Sequence, residues 1–466
     1  MPVAAVPKYL GQDFKEASPG MRFGHLLPIW TDRKDQEASV NNRAAKKSRE
    51  GQEVSKMLHE RGMDATIHEL TRREGNPLEG LWDINDFAAR TAWKSICELR
   101  SDDQNRMKAL LARQEAAYQT ASPNNILRLE AQATAPFTTG LGNEHPLENG
   151  FAFLNPYGLP YLPGSGVKGV LRQAARELAS GEWGDSHGWS EQKTIELSID
   201  KKTVGISMLD ALFGLESKDG DKKHLRGALT FWDVIPQIAG NSLAVEIMTP
   251  HQSHYYQWKK DSRGNLIEVS PHDSGSPNPI SFLTVPPGSG FSFFVTCDTA
   301  LLDRHAPELV KEERWKTLLQ AAFEHAFAWL GFGAKTAVGY GAMWRDSEKE
   351  QHAERKRLED AQRKADAERR ATLSPEDLAH EENLKRVETF RQQFEAARKT
   401  AYQPGRAFDQ QRLDFMKTAL EWTDPRSRQA AGELLAETMS KTWGTPGKKE
   451  RKQQISEATQ KLKGNA

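Results

Sequence analysis

The sequence has few of the features that would place it among secreted or membrane-embedded proteins. It holds two cysteines in 466 residues, Cys97 and Cys297, too few for a disulfide framework or a four-thiolate zinc site. No run approaches the ~18 consecutive apolar residues that a membrane-spanning helix needs. The N-terminus MPVAAVPKYL has no basic stretch leading into an apolar core, so we expect no signal peptide. These absences predict a cytoplasmic protein that contacts no membrane.

An excess of charge of either sign is also absent, since 64 Lys and Arg balance 64 Asp and Glu. This balance excludes a wholly basic protein that coats nucleic acid, so any nucleic-acid site must be a local patch. At roughly 100–200 residues per domain, the length predicts two or three structural units and is ample for a buried core.

Composition divides the chain into three parts. Residues 1–120 are polar and predict a helical or irregular N-terminal region, with a helical stretch at about 87–118. Residues 121–345 hold most of the glycine, proline and phenylalanine and every convincing strand. Residues 346–466 form a charged extension that we expect to be helical.

The charged extension itself varies in pattern. Segment 346–371 mixes acids and bases with almost no apolar stripe, which predicts a solvated helix or a spacer. Apolar residues between 413 and 439 could pack a helical hairpin. The stretch 441–463 is mostly basic; we expect a solvated tail, with RNA contact as the alternative.

The middle part predicts an α+β domain. Its expected elements are a strand at 127–137, a helix at 166–180, strands at 229–231 and 243–247, a hairpin of 280–285 with 291–296, a helix at 315–330 and a strand at 338–344. With the hairpin taken as an insertion, the order is strand, helix, strand, strand, helix, strand. That order is typical of a ferredoxin-like (RRM-like, split βαβ) core, a small antiparallel sheet with two helices on one face.

The first glycine-rich loop, LPGSGVKG at 162–169, stands directly before a predicted helix. It places Gly164, Ser165 and Gly166 where unpaired amides and the positive end of the helix dipole favour an anion. Ser165 is also a candidate N-cap. Lys168 and Arg172 fall on one helix face near that positive end, where a bound phosphate would relieve the electrostatic conflict. A tight turn with an exposed basic face is the alternative.

The second glycine-rich loop, GFGAKTAVGYG at 331–341, follows the last predicted helix. Its four glycines allow a ligand to approach the backbone closely, and Lys335 offers a point charge. Neither loop contains Gly-x-x-x-x-Gly-Lys-Ser/Thr, nor a Gly-x-Gly-x-x-Gly followed by a βαβ unit. We therefore expect no ATP or dinucleotide cofactor.

Histidines and carboxylates offer weaker candidates. Glu144, His145 and Glu148 lie between the first strand and the first loop, but no second His or Cys stands at ligand spacing. We predict no metal there and a loop held by its own hydrogen bonds. His251 and His254 flank two tyrosines, which suits either an acid–base role or stacking on a base.

The segments around both glycine loops resemble the RAMP superfamily of CRISPR-associated RNA-binding proteins. The matching residues are TTGLGNEHPLENGFAF and GLPYLPGSGVKGVLR within 138–172, LRGALTFWDVIP at 225–236 and GFGAKTAVGYG at 331–341. The resemblance covers about 135–345. The combination of TGLG, HPLENG and PYLPGSGVKG is most similar to the sixth-subunit family of type III-B (Cmr) effector complexes.

This resemblance implies a ferredoxin-like RNA-recognition core and a non-catalytic structural role in an RNA-guided antiviral complex. The implied partners are the CRISPR guide RNA near its 3′ end, the target RNA and the other subunits of the Cmr complex. RNA cleavage would belong to a neighbouring subunit. The residues that would bind guide phosphates are Gly164, Ser165, Gly166, Lys168 and Arg172 on one wall and Gly333, Lys335 and Thr336 on the other.

Two other functions remain open on sequence grounds. A RAMP-type endoribonuclease would cut target RNA or process the guide precursor, with Asp233, His145 and His251 as its candidate residues. A protein–protein adaptor would act through its helical arms and bind no RNA through its core.

Overall fold

The computed structural model describes residues 4–6, 8–30, 33–72, 86–199, 202–215, 224–250, 263, 279–402, 407–439 and 444–464. The chain divides into two compact units, Met1–Ala353 and Glu354–Ala466, and each contains a hydrophobic core. The three-part organisation expected from composition stays a prediction. Within the described ranges, no helix is long and apolar enough to cross a bilayer.

The first unit mixes helices and strands, which confirms the α+β class. Its helices are α1 (Pro19–Gly24), α2 (Arg33–Ala44), α3 (Arg49–Arg72), α4 (Asp86–Cys97), α5 (Ser101–Thr120), α6 (Gly164–Ser180), α7 (Met208–Phe213), α8 (Thr299–His305), α9 (Pro307–Val310) and α10 (Arg314–His325). Its strands are β1 (Ile126–Ala133), β2 (Phe153–Leu154), β3 (Leu159–Pro160), β4 (Ile195–Ile199), β5 (Lys202–Ile206), β6 (Gly214–Leu215), β7 (Leu225–Arg226), β8 (Leu229–Phe231), β9 (Ala244–Met248), β10 (Ile280–Thr284), β11 (Gly290–Cys297) and β12 (Met343–Arg345).

In the described residues, the strands of the central sheet lie in the order β12–β1–β11–β8, and every pairing is antiparallel. Alternate residues of β1 and β11 enter the core, among them Leu129 and Phe293, both at most 1% exposed. Helix α6 adds Leu171 to this core, and α10 adds Phe323, whose ring lies edge-on to Phe293 at 5.3 Å. In chain order, the sheet and these two helices run strand, helix, strand, strand, helix, strand.

The third strand of this sheet is not the one expected from sequence. The hairpin interpretation of 280–285 and 291–296 is wrong, because β11 lies between β1 and β8 while β10 pairs with β9 in a separate two-stranded sheet. The predicted third core strand, 243–247, corresponds to β9. The reason is burial: β11 is covered on both faces and is apolar nearly throughout, whereas β9 leaves Ile247 60% exposed.

The sheet face away from α6 and α10 is covered by other parts of the same unit. The Arg128 guanidinium lies 5.6 Å from the ring centroid of Tyr118 in α5 and 5.5 Å from that of Phe294. Glu130 is fully buried on this face and pairs with Lys349 Nζ at 2.7 Å, near the start of α11 (Ser347–Thr372). Arg128 also pairs with Glu130 at 2.7 Å, so two cations compensate this buried carboxylate, and Lys349 holds the start of α11 beside the sheet.

The helical stretch expected at 87–118 consists of two helices, α4 and α5, with Leu99 buried in the break between them. Arg22 of α1 donates hydrogen bonds to the carbonyls of Ser95 and Glu98, the second at 2.5 Å. These bonds satisfy carbonyls at the end of α4 that have no partner within the helix. The break is therefore fixed by a cation from outside the two helices.

The second unit is helical in its described part. Helix α11 continues into it, and α12 (Pro375–Arg398), α13 (Ala407–Leu420), α14 (Pro425–Glu437) and α15 (Lys449–Leu462) follow. Ser374 and Asp424 cap α12 and α14 by accepting backbone N–H bonds. The rings of Phe390 and Phe415 stack at 4.2 Å in the core between α12 and α13.

The prediction of a solvated tail at 441–463 is wrong for the residues of this segment that the structure describes. Residues 449–462 form α15, whose Ile455, Ala458 and Leu462 are at most 4% exposed. These three apolar residues recur at helical spacing and form one face, although basic residues surround them in the sequence. Residues 441–443 lie outside the described residues.

Candidate nucleic-acid interface

The first glycine loop forms the start of α6, but its N-cap differs from the one expected. Pro163 occupies the N-cap position and Ser165 is the second residue of the helix, so the Ser165 N-cap prediction is wrong. A proline side chain accepts no hydrogen bond, and Asp233 Oδ1 accepts the Gly164 amide at 2.8 Å instead. A Cβ at Gly164 would overlap the carbonyl oxygen of Phe231. Glycine at 164 is thus needed for close packing of α6 on the sheet.

The basic residues of α6 lie away from its buried face. Val167 and Leu171 are at most 1% exposed and enter the core. Lys168, Arg172 and Arg176 recur at four-residue spacing on the other side, where the first two are half-buried and Arg176 is exposed. The helix therefore presents a row of cations that begins beside its own N-terminus.

The second glycine loop is held against the chain that leaves β1. Gly333 has φ +95°, and a Cβ there would overlap the carbonyl oxygen of Thr138. The Ala334 amide donates to that same oxygen at 2.8 Å. Lys335 also has positive φ, and its Nζ lies 5.4 Å from the ring centroid of Phe282. Thr336 begins a 3₁₀ turn, Thr336–Val338.

The two glycine loops meet at one cavity of about 320 Å³. A third wall comes from the loop after β1, which carries the TGLG sequence. The lining residues are Thr139, Gly140, Leu141, Gly142, Leu162, Pro163, Ser165, Gly166, Val170, Gly333 and Ala334. The structure thus brings together segments that lie nearly 200 residues apart in sequence.

The predicted site residues fall into two groups. Ser165, Gly166 and Gly333 line the cavity directly. The other predicted residues lie outside the described lining: they are Gly164, Lys168, Arg172, Lys335 and Thr336. Gly164 is buried behind the first loop, while Lys168 and Arg172 follow Ser165 along α6. Sequence reasoning missed the Thr139–Gly142 wall, although its glycines were visible in TGLG.

The loop that contains His145 supports this third wall. His145 Nδ1 accepts the Leu147 amide at 3.1 Å, so Nε2 carries the proton that it donates to the Phe23 carbonyl at 2.8 Å. The Phe23 and His145 rings stack 3.8 Å apart. Burial lowers the pKa of His145 below its ordinary value, which favours this neutral form. The predicted loop held by its own hydrogen bonds is confirmed, with Phe23 of α1 as an added anchor.

The structure also places other groups that could act in catalysis or in metal binding. Asp233 caps α6. In the described ranges, no three His, Cys, Asp or Glu side chains gather as a metal site. Burial raises the pKa of Cys97 to about 11 and that of Cys297 to about 12, so both remain thiols at neutral pH. His251 and His254 lie outside the described residues.

The family model of the RAMP superfamily matches residues 130–344, which include every wall of the cavity. These residues therefore match the RAMP superfamily, the family that the glycine loops resemble. Among curated proteins, the chain is similar to the CRISPR system Cmr subunit Cmr6 of Pyrococcus furiosus. The two are 29% identical over 240 residues, which are 44% of this chain and 63% of that relative.

Two solved structures are also similar. The crystal structure of Cmr6 from Pyrococcus furiosus shows 26% identity over 47% of this chain and 98% of that one, with a TM-score of 0.24. The cryo-EM structure of the type III-B Cmr-β complex bound to cognate target RNA contains a chain with 16% identity and a TM-score of 0.35. That match covers 66% of this chain and 87% of the other. The family model and the curated relative confirm the expected resemblance to a type III-B Cmr subunit.

Proposed function

We propose that this protein is a non-catalytic RNA-binding subunit of a type III-B CRISPR effector complex. In this role it grips the backbone of the guide RNA near its 3′ end, contacts the backbone subunits and takes part in defence against foreign RNA. The similarity to a curated Cmr subunit supports the other Cmr subunits as partners. The guide RNA and the target RNA are the RNA partners that we propose. The observation that carries the RNA-binding role is a cavity formed by three glycine-containing loops, one of which begins the basic helix α6.

The chemistry of the cavity suits phosphates better than bases. At Gly142, Gly166 and Gly333 the backbone itself lines the cavity. Glycine has no side chain that could form hydrogen bonds with a base edge. Lys168 and Arg172 add positive charge about one and two turns along α6 from Ser165. Such a site binds unrelated sequences alike, as a guide-RNA scaffold must, since base pairing to the target supplies specificity.

The finer fold assignment belongs to the same proposal. The sheet order β12–β1–β11–β8, with α6 and α10 on one face, supports a ferredoxin-like core. Many RNA-binding domains of this type stack bases on the open face of the sheet. Here Tyr118 of α5 and Lys349 of α11 cover much of that face. The glycine cavity at the edge of the domain is therefore the better place for RNA.

The absence of catalysis by this chain is likewise proposed. Both ring nitrogens of His145 are engaged in hydrogen bonds, and the Asp233 carboxylate holds the first amide of α6. A general base needs a nitrogen or oxygen that can reach the attacking hydroxyl. Both ring nitrogens of His145 are occupied, and so is one of the two carboxylate oxygens of Asp233.

The test compares two double variants of the full chain. Lys168→Ala with Arg172→Ala removes two cations at the cavity, and Arg106→Ala with Lys108→Ala removes two exposed cations from α5. Binding is measured by fluorescence anisotropy with single-stranded RNAs of unrelated sequence at several salt concentrations. We expect the first variant to lose affinity equally for all RNAs and its salt slope to fall by about 1.4, or ~0.7 for each phosphate contact. Equal binding by the two variants, or loss for one sequence alone, would contradict the proposal.

A further inference from the structure

Two exposed tryptophans form a patch where the ends of α6 and α10 meet. Trp183 is 47% exposed and Trp329 is 67% exposed, and their ring centroids lie 5.3 Å apart. Contact between them makes one continuous apolar surface rather than two isolated side chains. Exposed tryptophans of this kind are enriched where proteins dock, because a large rigid ring buries much area at low entropic cost.

Contacts with the buried His325 and the end of α6 hold the patch in place. The Trp183 ring lies edge-on to His325 at 5.1 Å, and His325 Nε2 is 2.7 Å from Glu177 Oε2. His325 is only 8% exposed, so this contact anchors the patch from below. Gly181 ends α6 with φ +74° and turns the chain toward Trp183.

Trp329 owes its position to an irregular helix. After α10, residues Ala326–Leu330 form a π-helical turn in which the Gly331 amide bonds to the Ala326 carbonyl at 2.8 Å. The widened turn buries Phe327 and leaves Trp329 outside. π-Turns are rare and often mark functional positions.

The charge around the patch determines which partner it fits. Residues 177–192, between Arg176 and Lys193, contain four carboxylates and no Lys or Arg. Residues 317–334, between Lys316 and Lys335, contain one carboxylate and no Lys or Arg. Glu177 is paired with His325 and Glu324 with Arg345. Glu182 and Asp185 are exposed beside Trp183, and Asp185 also accepts the His187 amide at 2.9 Å. Phosphate groups would be repelled here, in contrast to the cations that border the glycine cavity.

We propose that the Trp183–Trp329 patch docks a basic segment of a neighbouring protein subunit, with an Arg or Lys of that subunit lying on a tryptophan face. A cation on an indole face is attracted by the ring, and the exposed carboxylates add electrostatic complementarity. The rings already touch, so no base inserts between them. The identity of the neighbour as another subunit of the effector complex rests on the proposed function.

The test places the photo-crosslinking residue p-benzoylphenylalanine at position 329 of the full chain. The chain is co-produced with the other complex subunits and a guide RNA, irradiated and purified. We expect one cross-linked protein, whose cross-linked peptide has an excess of Lys and Arg. The same probe at position 344, where Trp344 is 48% exposed, is the matched control and should not give that product.

A second pair of variants tests the charge argument. Glu182→Lys with Asp185→Lys should lower the cross-link yield about tenfold. Asp303→Lys with Glu308→Lys makes the same charge change on α8 and α9 and should leave it unchanged. A cross-link to RNA, a cross-linked peptide without basic residues, or no cross-linked protein overturns the docking surface. If the docking surface fails this test but guide RNA and the other subunits still co-purify with the chain, the proposed function stands. If guide RNA and subunits do not co-purify, the proposed function is overturned separately.

Discussion

Asp233 Oδ1 accepts the amide hydrogen of Gly164 at 2.8 Å, joining the loop after β8 to the first residue of α6. The bond places a negative charge at the positive end of the helix, where it satisfies an amide that has no partner within α6. It also holds the glycine loop against the sheet. A residue that was a candidate for RNA cleavage is thus bonded as a helix cap.

Substitution of Asp233 distinguishes its role as a helix cap from a role in RNA cleavage. Asp233→Ala removes the cap, so we expect the free energy of unfolding to fall by about 1 kcal/mol. Asp233→Asn keeps an oxygen acceptor and removes a negative charge beside an anion site, so we expect near-normal stability and tighter RNA binding at low salt. Chemical denaturation and anisotropy measure these effects. Loss of target-RNA cleavage in Asp233→Asn, with binding retained, would instead favour the nuclease.

Gly333 and Gly339 form a matched pair in the second loop. Both have φ near +95°, but a Cβ at Gly333 would overlap the Thr138 carbonyl oxygen, while one at Gly339 meets nothing within 4 Å. We expect Gly339→Ala to cost about 1 kcal/mol from backbone strain alone. Gly333→Ala should cost more and weaken RNA binding, because the loop must move away from Thr138. Thermal unfolding and anisotropy on both variants check this, and similar losses in the two would contradict it.

His145 should make stability depend on pH. Burial lowers the folded-state pKa of His145 below the ordinary value of 6.5, so the unfolded chain takes up this proton at a higher pH than the folded chain. Its contribution to stability is therefore present above about pH 6.5 and declines as the pH falls. His145→Gln should remove that decline, whereas His187→Gln, at an exposed position, should keep it. Melting temperatures from pH 7.5 to 5.5 compare the three proteins, and parallel curves for wild type and His145→Gln would refute the expectation.

The sequence predicted the elements of the sheet better than their pairing. Periodicity located β1, α6 and α10 because each carries apolar residues on one face and mostly polar residues on the other. It misassigned β11, since a strand covered on both faces loses its alternation, and the covering residues Tyr118 and Lys349 come from distant segments. Such coverage depends on tertiary contacts that local patterns do not contain.

In the candidate site, too, local features could be predicted from the sequence and tertiary contacts could not. The glycine loops were visible as composition, but the third wall at Thr139–Gly142 required the fold to bring it beside Ser165 and Gly333. The N-cap was misassigned for a related reason. Ser165 satisfies the local rule, yet Asp233, 69 residues beyond Gly164, supplies the bond.

The basic C-terminal segment allows a test of whether α15 is part of a packed core or a solvated tail. Ile455 is 1% exposed in α15, and its neighbour Gln454 is exposed. We expect Ile455→Ala to destabilise the second unit by about 2–5 kcal/mol, because it leaves a cavity among packed helices. Gln454→Ala should change stability by less than about 0.5 kcal/mol. Hydrogen exchange on the full chain, read by mass spectrometry, resolves the units: protection should fall in α12–α15 and stay unchanged in β1 and β11. Equal protection in both variants would mean that α15 contributes little to the core, as the solvated-tail interpretation requires.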